Sequence, residues 1–434
     1  MDTNEEFPDQ HDLPAEEEQF TEEEERSDVS NIFYQALVGS TEGMTEEEAD
    51  HYLSTLLESG EIETEHLLFE RIVAEQSKQL PMPSYHPDRA VREASLARKD
   101  QWKANEGGEL TYIASNDLEV YLSALGRSLE VSEAMREIRK LSESTVLTAR
   151  ILLGLWSVRR TNKQVSKDGS VAILLDEVLQ WQGIQKHSRV AHPGTSKRYT
   201  DGFRVEQKQR VLQDMALLAS CHVRGATTVT FRGKTTPIEV DGPYLRYDIV
   251  SRKTPQGEKI VLGFLVSPGS WIGTYEQYQN VSFAQIDSQI FTLNPQNDRY
   301  ALRLGLYLTE RWREQAKQGN FSAPIAMSDL LAASMIEADK RHLTSEIAPR
   351  VEAALERLEE MGIVGKQLCL TSVNKEQARW GKDWLAAYWE ILPPADLIRA
   401  YATLPGSRRR RAKKTSSQKE GVQQLGLLPS TNDH

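Results

Sequence analysis

Nine basic-type side chains fall within 25 positions of this chain: Lys186, His187, Arg189, His192, Lys197, Arg198, Arg204, Lys208 and Arg210. Ammonium and guanidinium groups at that density neutralise phosphate and release its counterions, while side chains on an exposed helix face read base edges. The segment Phe231-Arg232-Gly233-Lys234 lies one strand further on, and its Arg232 and Lys234 suit a hairpin ribbon that tracks a sugar–phosphate backbone. A second, sparser set comprises Lys340, Arg341, Arg350 and Arg357, followed by Lys375, Arg379 and Lys382. Here Glu346, Glu352, Glu356, Glu359 and Glu360 interleave with the bases. For both sets a solvated helix face, or pairing with acids of the same chain, is the competing reading. Trp312, Trp380, Trp384 and Trp389 read as packing residues rather than base-stacking platforms.

Other chemistries lack their residues. The sequence has no GxxxxGK[ST] phosphate loop, no HExxH, no paired CxxC and no GxSxG elbow. Its nine histidines are scattered. The expectation is therefore a non-enzyme with no metal and no cofactor. Cys221 and Cys369 are far apart in apolar surroundings and read as free thiols of a reducing compartment. No apolar run reaches the roughly 20 residues of a membrane span, and the acidic N-terminus is unlike a signal peptide. A cytoplasmic protein with no membrane partner is expected.

The net charge of −12 conceals a division. Residues 1–78 hold 24 acids against Arg26, Arg71 and Lys78, a net of −21, and the remainder carries 40 acids and 49 bases, a net of +9. Charge per segment, not the whole-chain value, bears on partners.

The elements that must position the basic side chains come next. Residues 1–44 read as an acidic disordered tail. Residues 45–142 form a helical region, with helices over about 45–76, 88–105 and 117–142 and a proline-rich linker near 80–87. From Ser144 an apolar helix leads into SVAILLDEVLQWQGI, read as a second helix. The basic turn follows, and then a third helix with Val211, Leu212, Met215 and Leu218 in phase. Strands occupy the chain after Gly225. The order recurs more loosely over 298–393: a helix with Tyr300, Leu304, Tyr307 and Leu308 in phase, a short helix, a helix carrying Ile347, Val351, Leu355 and Leu358, then a strand, a basic turn and a strand or short helix. This divides the folded part at 143–280 and 281–403. Residues 404–434 hold a basic linker (Arg408–Arg411, Lys413, Lys414) and the peptide Gln424-Leu425-Gly426-Leu427-Leu428.

The duplicated order over about 143–393 resembles the plasmid replication initiators with tandem winged helices, of the RepA, RepE and TrfA type. The resemblance implies an α+β, mainly α fold: two winged-helix domains behind a helical N-terminal region, with disordered termini. It also implies binding of repeated double-stranded DNA sites at an origin, exchange between homodimer and monomer, and recruitment of the replicative helicase. Gln424, Leu425, Leu427 and Leu428 are similar to the peptide by which replication proteins dock on the sliding clamp, although Leu428 stands where an aromatic is usual. A winged-helix transcriptional regulator and a recombinase or transposase accessory protein are the alternatives.

Overall fold

Leu80 and Met82 alternate with Pro81 and Pro83, and the alternation is a strand, β1 (Gln79–Pro83). The computed structural model of the protein describes residues 79–403 apart from 125–126, 163, 187–201, 232–233, 254–258, 274–282 and 378. The proline-rich stretch expected as a linker is therefore structural at its start. Leu80 and Met82 are buried, and β1 pairs antiparallel with the distant segment Phe283–Asp287. Prolines are tolerated because a two-stranded ribbon consists only of edges.

Next come α1 (His86–Leu96), β2 (Lys103–Ala104), β3 (Leu110–Ile113), β4 (Glu119–Ala124), β5 (Arg127–Ser128) and α2 (Val131–Ile138). The helices expected over 88–105 and 117–142 are thus only partly present. Val120 and Leu122 are buried while Glu119 and Tyr121 are half-buried, which is strand alternation. Asp117, at φ 62°, turns the chain between β3 and β4, a left-handed conformation that Asp tolerates better than most residues. The helix expected over 45–76 lies outside the described residues.

The first repeated unit contains α3 (Glu143–Thr161), β6 (Val171–Leu174), α4 (Leu175–Trp181) and α5 (Val205–Ser220). It resumes at β9 (Leu245–Lys253) and β10 (Lys259–Pro268), after the hairpin β7 (Cys221–Phe231) and β8 (Lys234–Pro243). The strand order is β6-β10-β9, all antiparallel, with Phe264 opposite both Ile173 and Ile249. Residues 144–157 of α3 are buried all round, as befits a helix at the centre of a core. The stretch read wholly as helix begins instead as β6. Its Val171 and Ile173 are buried and β-branched, and Asp176 and Glu177 then open α4 in its favourable first turn.

The second unit follows β11 (Phe283–Asp287): α6 (Arg299–Gln318), β12 (Ile325–Ala326), α7 (Met327–Ala333), α8 (Ala348–Glu360), β13 (Lys366–Cys369), α9 (Trp380–Ala386) and β14 (Tyr388–Leu392). The helix α10 (Ala395–Thr403) closes the described chain. Its strand order is β12-β14-β13, again antiparallel. Apart from the β7–β8 hairpin of the first unit and the short helix α9 of the second, both units therefore run helix, strand, helix, helix, strand, strand, with the first strand paired to the last and the last to the middle one. The overall fold is mixed α and β, and among the described residues no helix is long and apolar enough to cross a membrane.

The hairpin belongs elsewhere. In β7, residues Cys221–Arg224 pair with β4, so β7 and β8 extend the N-terminal sheet of order β2-β3-β4-β7-β8. Phe231 and Lys234, the last described pair of the hairpin, correspondingly belong to an insertion between α5 and β9 and not to the three-stranded sheet of the first unit.

Polar atoms tie these parts together inside the core. Arg150 of α3 donates to Asp88 of α1 and, at 2.6 Å, to Glu310 of α6. Arg92 of α1 lies 3.1 Å from Glu310, and the Tyr244 hydroxyl donates to Asp88 at 2.7 Å. Gly154 admits β1 against α3, since a β-carbon there would overlap Leu80.

Candidate nucleic-acid interface

The packing of α5 is set by one face. Val211, Met215, Leu217 and Leu218 are buried, and among them lies Asp214. Its carboxylate accepts from Ser144 (2.8 Å), Thr145 (2.9 Å) and Thr148 (3.1 Å), all on α3. Burial raises the Asp214 carboxyl above the ordinary aspartate range, against the lowering effect of these three hydroxyls and Arg210. This anchor clamps α5 on α3 and turns Arg204, Val205, Glu206, Gln209, Arg210 and Gln213 to solvent.

The basic residues expected here divide. Arg204 is exposed at the N-cap of α5. Lys208 pairs with Asp176 of α4 at 2.7 Å, and Arg210 Nε donates to Ser144 at 3.1 Å, so both are partly committed within the unit. The Lys186 ammonium stands 5.8 Å from the Phe203 ring centre. Arg189, Lys197 and Arg198 lie outside the described residues, as do Arg232 and the side chain of Lys234. Gln209 and Gln213 escape a search for positive charge; their four-residue spacing on the polar face of the helix is the signal for them.

In the second unit, Lys340 and Arg341 are exposed before the turn Leu343–Ile347 that enters α8. Arg350 is exposed and bridges Glu346 at 2.8 Å, and Arg357 reaches Asp298 at 3.2 Å. Lys375 bridges Glu352 at 2.6 Å and lies 5.7 Å from the Trp380 ring. Arg379, at φ 73°, and Lys382 are exposed at the start of α9, between β13 and β14. Arg299, which the sequence reading omitted, joins Arg350 and Arg357 along a groove of about 630 Å³ between α6 and α8. The acids interleaved with these bases are real partners, yet Lys340, Arg341, Arg379 and Lys382 have no ion pair with a described residue.

The tryptophans behave as packing residues: Trp312, Trp384 and Trp389 are buried and Trp380 is half-buried. Trp312 donates to the Ile391 carbonyl at 3.1 Å and Trp384 to Glu352 at 2.9 Å. Cys221 is buried, which pushes its thiol up to about 12, and Cys369 is half-buried with its Sγ against the Thr371 carbonyl. Among the described residues no group of three or more His, Cys, Asp or Glu side chains could hold a metal ion. The peptide Gln424–Leu428 lies outside the described residues. No family model, no curated protein and no solved structure matches this chain.

Proposed function

We propose that the two repeated units are winged-helix modules and that the chain binds double-stranded DNA sequence-specifically, with α5 and α8 as the helices entering the major groove. The observation that carries this reading is the third helix of the first unit. It is anchored on its inner face by Asp214 and presents Arg204, Gln209, Arg210 and Gln213 on its outer face. Helices of this kind place their N-terminal residues on base edges and leave the preceding segments for phosphate. The basic segment 186–204 directly before α5, and Lys340 and Arg341 before α8, suit that division. Repetition of the element order and strand order supports a two-module reader.

On this reading the paired strands β9 and β10 and the β13–α9–β14 segment are the wings. The wing read at Arg232 and Lys234 in the sequence is replaced by the β9–β10 pair. Replication initiation is the biological role we favour, with the sliding clamp, the replicative helicase and a second copy of the chain as partners. Its support is the resemblance together with Gln424, Leu425, Leu427 and Leu428. The test is a titration of the full chain with genomic and plasmid duplex fragments at several salt concentrations. Selective retention of fragments with short tandem repeats supports the initiator, and a single palindrome favours a transcriptional regulator. No retention above a random duplex would overturn the DNA reading.

A further inference from the structure

Val205, Gln209 and Gln213 follow one another at four-residue steps along the exposed face of α5. Nine residues of helix carry that stripe over about 12 Å, and successive members turn about 40° around the axis. Two of the cations beside it are engaged, Lys208 by Asp176 and Arg210 by Ser144. By contrast, both glutamines are exposed, and no described residue takes their amides in a hydrogen bond. A primary amide offers a donor and an acceptor side by side. Adenine presents the complementary pair, an N6 amino donor next to an N7 acceptor, in the major groove, where the thymine methyl adds an apolar surface.

We propose that Gln209 and Gln213 are the adenine-reading side chains of α5, with Val205 against a thymine methyl, so that the first module selects an A·T-containing half-site. The inference rests on the DNA-binding reading of α5 and extends it to base identity. The second helix differs in kind. Residues 340–360 contain no glutamine, and the exposed charged side chains of α8 are Arg350, Glu356, Arg357, Glu359 and Glu360. Arginine matches guanine, and glutamate accepts from cytosine. The adenine preference therefore belongs to one half of the site only.

The experiment is selection of bound sequences from a random duplex library by the full chain. It compares the wild type with Gln209→Met plus Gln213→Met, and with Gln213→Arg. Thermal melts of the variants check that these exposed substitutions leave the fold intact. Expected is a wild-type motif with adenine positions confined to one half. In the double variant, discrimination at those positions falls about 5- to 150-fold for each lost bidentate contact, with the salt dependence unchanged. Gln213→Arg exchanges adenine for guanine at one position. A wild-type motif without adenine, or one unchanged in the double variant, overturns the inference while leaving DNA binding in place. Failure of the wild type to enrich any duplex overturns the DNA reading and this inference with it.

Discussion

Arg150 and Glu310, each near the middle of the first helix of its repeated unit, meet at 2.6 Å, with side chains 1% and 10% exposed. The two units are thus joined at their centres by an ion pair that water scarcely reaches. Asp88 and Arg92 of α1 join them, and the buried Glu93 lies 3.8 Å from Arg92. Such a cluster adds little net stability over an apolar packing of the same volume. Its disruption is costly, because the surviving charges stay buried.

Arg150→Met leaves both Asp88 and Glu310 short of their shared guanidinium. We expect the variant to lose about 3–5 kcal/mol, the usual consequence of removing one partner of a buried pair. Urea unfolding followed by tryptophan fluorescence measures it, since Trp156 and Trp312 lie on the two helices concerned. A loss under 1 kcal/mol would mean that the cluster relaxes into solvent.

Glu310 sets one arm of the acid response. Burial alone would raise its carboxyl, but Arg92, Arg150 and Arg89 outweigh that and hold it below the ordinary glutamate value. A lowered folded-state pKa contributes stability that is present above the unfolded value of about 4.3 and is lost as pH falls through the folded value. Asp88 works in the opposite sense, because burial raises it despite Arg150, so its charged form is the disfavoured one in the fold. Glu310→Gln is therefore expected to destabilise at pH 7 and to lose less on acidification below about pH 4 than the wild type. Unfolding midpoints at pH 7 and pH 3.5 test this; parallel losses in both proteins would contradict it.

Asp214→Ala removes the acceptor for three hydroxyls of α3. The expected loss is at least about 1.5–3 kcal/mol, the worth of one hydrogen bond to a charged group. On the proposal that α5 enters the major groove, duplex affinity should fall at temperatures where the rest of the protein remains folded. Hydrogen exchange confined to 205–220, together with a gel-shift titration, separates this from global unfolding. Uniform loss of protection would count against a local anchor.

The C-terminal peptide provides a prediction independent of the fold. A synthetic Gln423–Pro429 peptide is expected to bind a bacterial sliding clamp at about micromolar strength, since two or three leucines each contribute about 1.5–3 kcal/mol before ordering costs. In the full chain, Gln424→Ala with Leu427→Ala should abolish clamp binding and leave duplex binding unchanged. Calorimetry that detects no heat at high micromolar peptide would remove the main support for the replication role.

Local pattern carried far in this chain. The apolar stripes Val211, Met215, Leu218 and Val351, Leu355, Leu358 are buried where their helical spacing places them. The periods of 3.6 and 2 are properties of the backbone itself, so the sequence alone determines which residues share a face. Partnership between distant segments is another matter. Nothing around Leu80 indicates Ile286, its partner across β1 and β11, and nothing around Arg232 indicates that β7 will pair with β4. Arg150 reads only as an odd charge in an apolar helix, because its partners lie 62 and 160 residues away. The basic set was legible as composition, but the tertiary structure decided which members are spent on Asp176, Ser144, Glu346, Asp298 and Glu352. A charge takes whichever opposite charge the fold brings within about 4 Å, and that proximity is set by packing of the whole core rather than by neighbours along the chain.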